Sequence, residues 1–164
     1  MTNQDKKPSQ GPLARLWHEL GYAIDRTFKT GGRRHEFEHK YAKHGDYFGY
    51  QSNPYELTKY ERTLELVKQW RGNRRTALEI GCSVGVFTSM IAPEFEEMVA
   101  TDIASEALAL AKTQVAGKGR VSYAQSDVIS LNLGRKFDMI FCAEVLMYVR
   151  EKDATLACRV LDAH

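Results

Sequence analysis

Leu78-Glu79-Ile80-Gly81-Cys82-Ser83-Val84-Gly85 is the stretch that decides the fold. A largely apolar run, Thr76 to Ile80, carries one carboxylate and ends in a glycine turn. A segment of helical character follows from about Val86 to Ala92 and is stopped by Pro93. A second short apolar run, Met98 to Thr101, then ends in Asp102 and Ile103. Strand, glycine turn, helix, strand and acid, the acid lying about 20 residues beyond the turn, is the layout of a nucleotide-binding βαβ unit. In such a unit the turn lets a ligand approach the backbone, and the acid holds ribose hydroxyls.

Working outward, a helix is expected over Ser105 to Val115, closed by Gly117. A third strand is expected over Val121 to Ala124, a fourth over Phe137 to Cys142, and a last helix from about Lys152 to Leu161. Strands alternating with helices predict an α/β fold with a parallel sheet covered on both faces. Upstream, Asn53 caps and Pro54 opens an amphipathic helix through Tyr55, Leu57, Tyr60, Leu64, Val67 and Trp70, ending near Gly72. Further back, Leu13, Leu16, Trp17, Leu20, Ile24 and Phe28 recur at helical spacing before Gly31-Gly32. The expected organisation is a tail over 1–12, an amphipathic helix and basic linker over 13–45, and a ligand-binding domain over 46–164.

With 164 residues, 43% of them hydrophobic and 27% charged, the chain has the size and composition of one globular domain. No apolar run approaches the roughly 18–20 residues of a membrane span. The polar start, Met1 to Pro12, lacks an apolar signal core, so a cytoplasmic location is expected. The three cysteines, Cys82, Cys142 and Cys158, form no C-x-x-C pair and fit free thiols in a reducing compartment. Residues 1–46 carry nine Lys/Arg against six Asp/Glu, so the small basic excess of a +2 chain sits in the N-terminal arm. That excess is the charge of a solvated arm, and no nucleic-acid partner is expected. His35, His39 and His44 fall close together, but no carboxylate or thiol completes a ligand set, and no metal site is expected.

The glycine spacing sorts the nucleotides. A phosphate-cradling loop of the G-x-x-x-x-G-K-[ST] type is excluded, because Gly81 and Gly85 are four apart and no lysine follows. A dinucleotide fingerprint from Gly81 needs glycine where Ser83 and Val86 stand, so a pyrophosphate is disfavoured at this turn. A ligand with adenosine but no phosphate remains.

Glu79-Ile80-Gly81-Cys82-Ser83-Val84-Gly85 resembles motif I, [DE]-x-G-x-x-x-G, of the class I S-adenosylmethionine-dependent methyltransferases. Asp102, the segment Gln125-Ser126-Asp127-Val128, and Phe137 to Val149 match that family's later motifs in order and spacing. The resemblance implies a Rossmann-like sheet of order 3-2-1-4 over these strands and S-adenosylmethionine as cofactor. It implies that backbone around Gly81, Cys82 and Ser83, within the turn closed by Gly85, lines the methionine portion. Glu79 would orient the amino-acid end. Asp102, followed by Ile103, would accept the ribose hydroxyls. Asp127 and the N–H of Val128 would meet the adenine, and the strand-4 exit, Ala143-Glu144-Val145-Leu146, would face methyl transfer. Pro54 to Leu64, the variant Gly81-Cys82-Ser83-Val84-Gly85-Val86-Phe87-Thr88 and Glu144-Val145-Leu146-Met147-Tyr148 are similar to the nodulation-type N-methyltransferases. Those relatives methylate a sugar amine, so a small-molecule or glycan amine acceptor is expected.

Methyl transfer from a sulfonium is an in-line displacement, in which the protein supplies alignment and exclusion of water. An amine must lose a proton, and Glu144 is the candidate base; a structural or capping role for it is the alternative. Tyr47, Tyr50 and Tyr60 are candidates for an aromatic lid, and helix packing is the alternative for Tyr60. The family's sheet has seven strands, whereas this sequence stops at Leu161-Asp162-Ala163-His164. The expectation is a C-terminally shortened methyltransferase lacking strands 5–7, with Met139, Ile140 and Phe141 on an exposed edge open to self-association. A non-catalytic remnant serving as a cofactor-binding or interaction module is the alternative.

Overall fold

The structure, a computed structural model, describes residues 33–164. The expected tail and the helix from Leu13 to Phe28 lie outside the described residues. Chain contacts divide the protein into Met1–His35 and Glu36–His164; the second unit is the one described.

Four parallel strands form one sheet: β1 (Thr76–Ile80), β2 (Glu97–Asp102), β3 (Val121–Gln125) and β4 (Met139–Phe141), in the order β3-β2-β1-β4. β1 pairs with β2 from Thr76↔Glu97 to Ile80↔Thr101, and with β4 from Ala77↔Met139 to Glu79↔Phe141. The helices are α1 (residues 33–44), α2 (Pro54–Gln69), α3 (Val86–Ile91), α4 (Ser105–Val115) and α5 (Ala154–Ala163). No helix among the described residues is long and apolar enough to cross a membrane.

Period-two alternation along β1 builds two cores. Ala77 joins Met98, Tyr60 and Val67 of α2, Phe87 and Ile91 of α3, and Ala107 of α4. Leu78 and Ile80 face the other way, with Val99, Val128, Leu131 and Ala157 of α5. A sheet buried on both faces explains why its central strands read as near-continuous apolar runs.

β1 and α4 fall where the sequence places them. Three other segments differ. β4 is shorter than the expected Phe137–Cys142: Asp138 N still donates to Thr76 O at 3.1 Å, but Phe137 N turns to His164 O at 2.6 Å, and the Asp138 carboxylate takes Thr76 N (2.8 Å) and Arg75 N (3.0 Å). Pro93 does not stop the third helix outright; a 3-10 turn, Ala92–Glu94, carries it on. The stretch read as basic linker is helical through 33–44 and packs Tyr41 into the first core.

Candidate functional site

In a parallel sheet the loops after the strands meet at one edge, and ligands bind where the strand order reverses. That point lies between β1 and β4. A cleft opens there, lined by Glu79, Gly81, Cys82 and Ser83 from the β1 side, Ala143 and Glu144 from the β4 exit, and Tyr50, Tyr60, Val86 and Phe87. Six of the residues expected to bind cofactor or act in catalysis, Glu79, Gly81, Cys82, Ser83, Ala143 and Glu144, thus share one cleft. Gly85, Asp102, Ile103, Asp127 and Val128 stand outside its lining.

The turn is shaped by left-handed backbone. Gly81 has φ 77° and Gly85 φ 80°, and a Cβ on Gly85 would stand 2.8 Å from Ala111 Cα in α4. Among the described residues, the non-glycine residues at positive φ are Ser83 (51°) and Glu144 (59°), and both line the cleft. Such conformations are costly for L-residues and persist where the surroundings impose them.

The N–H groups of this turn do not face a ligand. Gly81 N (2.7 Å) and Cys82 N (2.9 Å) both donate to Thr101 O, and Ser83 N donates to Asp102 Oδ2 at 2.9 Å. Glu79 is buried beneath them, and Thr88 Oγ1 donates to it at 2.6 Å. Burial pushes Glu79 up to about 7, against the opposing effect of Thr88 and with a smaller upward push from Asp102. Burial likewise keeps the Cys82 thiol protonated. A phosphate needs free N–H donors and no neighbouring carboxylate. This turn offers the reverse and suits a cation.

Asp102 is buried, and burial raises it above its ordinary value even though backbone N–H groups oppose the shift. Its Oδ1 accepts from Ala104 N at 2.9 Å. The N–H of Ile103 is a third backbone donor to this carboxylate, so of its about four acceptor positions one remains for a ligand. Ile103 O accepts from Gln125 Nε2 at 3.0 Å at the same edge. Asp127 Oδ1 turns onto its own loop and accepts from Ile129 N at 3.0 Å, while Val128 is buried in the second core.

Glu144 is exposed, and Lys59 of α2 donates to its Oε1 at 3.2 Å while also pairing with Glu56 Oε2 at 2.6 Å. The expected aromatic lid divides. Tyr50 and Tyr60 line the cleft, Tyr50 stacking on Phe48 (5.3 Å) and Tyr60 on Phe87 (5.1 Å). Tyr47 packs against Phe48 and lies outside the lining. Burial pushes the Tyr50 hydroxyl up to about 12, with Tyr148 adding to it, so this phenol is a neutral hydrogen-bonding group.

Sequence reasoning missed Glu38, Tyr41 and Lys59. Tyr41 Oη lies 2.8 Å from Ser83 Oγ, and Glu38 accepts from Ser105 N at 2.7 Å. The available signal was the helical spacing of Phe37 with Tyr41, one face of a segment otherwise dominated by charge.

A parallel sheet of order β3-β2-β1-β4 with this glycine turn and acidic strand ends is the fold of class I S-adenosylmethionine-dependent methyltransferases. The family model for Nodulation protein S (NodS) matches residues 32–160, and the chain belongs to that family. It is 28% identical over 140 residues to Nodulation protein S of Rhizobium tropici, covering 81% of this chain and 58% of that protein. It is 29% identical over 100 residues to Nodulation protein S of Bradyrhizobium diazoefficiens, covering 61% and 47%. Among solved structures, N-methyltransferase NodS from Bradyrhizobium japonicum WM9 in complex with S-adenosyl-L-homocysteine superposes with a TM-score of 0.68 at 25% identity, covering 79% of this chain and 64% of that one. The chain therefore spans about half the length of the curated relatives it matches.

Proposed function

We propose that this chain binds S-adenosylmethionine in the β1–β4 cleft and transfers its methyl group to the amine of a small molecule or oligosaccharide. The observation that carries the reading is the polarity of the turn: the N–H groups of Gly81, Cys82 and Ser83 are occupied within the protein and a buried carboxylate stands below them. That site repels phosphate and favours an ammonium, as the cofactor's amino-acid end requires.

In this reading Glu79 and the backbone of Gly81, Cys82 and Ser83 hold the amino-acid end, while Gly85 closes the turn against α4. The remaining acceptor position of Asp102 takes a ribose hydroxyl, beside Ile103. Asp127 and Val128 flank the adenine, which requires the Asp127 carboxylate to leave Ile129 N or to share it. Bound there, the cofactor supplies an activated methyl on sulfur. The chain contributes alignment and dryness: Ala143 borders the transfer side, and Tyr50, Tyr60 and Phe87 exclude water. Glu144 takes the amine's proton. Its ion pair with Lys59 must loosen when an ammonium arrives.

NodS from Bradyrhizobium japonicum is described as an N-methyltransferase, which supports the amine acceptor. The free cysteines Cys82, Cys142 and Cys158 support a reducing, cytoplasmic setting. Within the described sheet β4 pairs with β1 alone, which supports self-association along its other edge.

The test is transfer of labelled methyl from S-adenosylmethionine to a chitooligosaccharide with one free terminal amine. Labelled product from the wild type and its loss in Glu144→Gln are expected. Binding of S-adenosylhomocysteine with no transfer would replace the enzyme by a cofactor-binding remnant.

A further inference from the structure

Asp102 accepts from three backbone N–H groups, those of Ile103, Ser83 and Ala104, and the last two depend on a helix outside the motif. One carboxylate oxygen accepts from Ser83 N and the other from Ala104 N, each at 2.9 Å. Neither donor is fixed by its own segment. Ser83 sits at φ 51°, a conformation that L-residues leave readily. Ala104 precedes α4, which has no side-chain cap from its own N-cap residue, and the first N–H groups of a helix lack intrahelical partners.

α1 supports both. Tyr41 Oη pairs with Ser83 Oγ at 2.8 Å, and Tyr41 is buried. Three residues earlier on the same face, Glu38 accepts from Ser105 N (2.7 Å), Ser105 Oγ (2.8 Å) and Glu106 N (3.0 Å), and from Gln125 Nε2 (3.0 Å). Burial opposes the charge on Glu38, but the N–H groups of Glu106 and Ser105 outweigh it and hold the group below its ordinary range.

We propose that Glu38 and Tyr41 are positioning residues for Asp102: they brace two of its three backbone donors so that its remaining acceptor position points at the ribose. The inference rests on the ribose assignment made above. Its physical content is a chain of contacts from Tyr41 through Ser83 to one oxygen, and from Glu38 through the start of α4 to the other. If the Tyr41 tie is cut, Ser83 relaxes from its left-handed conformation, its N–H leaves Asp102, and the carboxylate turns.

The experiment is calorimetric titration of the full chain with S-adenosylhomocysteine, using Tyr41→Phe, Asp102→Asn and the double variant. Tyr41→Phe is expected to weaken binding by roughly three- to tenfold, the scale of one hydrogen bond. Adding it to Asp102→Asn is expected to cost nothing further, because the brace acts only through Asp102. A merely structural role gives additive losses and overturns the proposal, as does a Tyr41→Phe variant that binds like the wild type. Ser83→Ala cuts the same tie from its other end; it is expected to match Tyr41→Phe and to add nothing to it. That second pair keeps the test decisive where one variant folds poorly. If Asp102→Asn itself binds like the wild type, the ribose assignment has failed and the proposal falls with it, a pattern distinct from failure of Tyr41→Phe alone.

Discussion

Beneath the turn, Glu79 has Thr88 Oγ1 as a donor at 2.6 Å, and one hydrogen bond does not offset the loss of water around a charge. The group titrates at about 7 in the fold against an ordinary value of 4.5. Between those two values the folded protein holds a proton that the unfolded chain has released. The stability from this group is therefore present in full below pH 4.5 and is lost as pH rises through 7. Glu79→Gln keeps an acceptor for Thr88 without the charge. Its unfolding free energy from urea titration is expected to exceed that of the wild type at pH 8, by an amount on the order of 3 kcal/mol; equal stability at pH 8 would show that Glu79 ionises without cost. A cofactor ammonium reverses the preference. Titrating S-adenosylhomocysteine at pH 6 in buffers of different ionisation enthalpy should show up to one proton released, declining to none above pH 8. A heat independent of buffer would remove Glu79 from the amino-acid end. Glu79 was legible because the turn motif fixes it locally. The Lys59 partner of Glu144 was not, because the two lie 85 residues apart and nothing local to either pairs them.

Gly85 joins elements that sequence reading treats separately. It opens α3 at φ 80° and lies against Ala111 in the middle of α4. A methyl group there would stand 2.8 Å from Ala111 Cα, which is backbone and does not yield. Gly85→Ala should cost roughly 2–4 kcal/mol, combining left-handed strain with overpacking, and should lower the urea midpoint without changing its slope. A loss within about 0.5 kcal/mol would mean that the turn and α4 separate easily. At this scale the sequence carried the helices with strong periodicity, and α2 shows why: Asn53 Oδ1 accepts from Tyr55 N at 3.0 Å and Pro54 begins the first turn, both local signals. α1 escaped because Phe37 and Tyr41 alone mark its apolar face in a charged segment, and its further ties, Glu38 and the Tyr41 hydroxyl, are polar contacts that apolar periodicity does not register. The short β4 escaped because Phe137 N turns to His164 O and the Asp138 carboxylate takes N–H groups at the start of β1, contacts visible only after the chain has folded.

The cleft exists only when the whole sheet does. Its walls come from the ends of β1 and β4, Asp102 from the end of β2, and the braces on Asp102 from α1 and α4. Each segment is local in sequence, and their convergence is not. Sequence motifs in the right order could name the residues, while the occupied N–H groups of the turn needed the folded register of Ile80 against Thr101 to appear. A ligand held by such a convergence binds the folded state and not the unfolded chain. S-adenosylhomocysteine at about 100 times its Kd should therefore stabilise the protein by about 2.7 kcal/mol, a rise of roughly 5–11 °C in the thermal midpoint for a domain of this size. NAD at the same concentration should leave the midpoint unchanged, since its pyrophosphate would meet Glu79 and a turn whose first three N–H groups are already occupied. An equal shift from NAD would show that the site reads adenosine alone and that the polarity of the turn does not select. No shift from either ligand, in a protein that unfolds cooperatively, would separate this fold from cofactor binding.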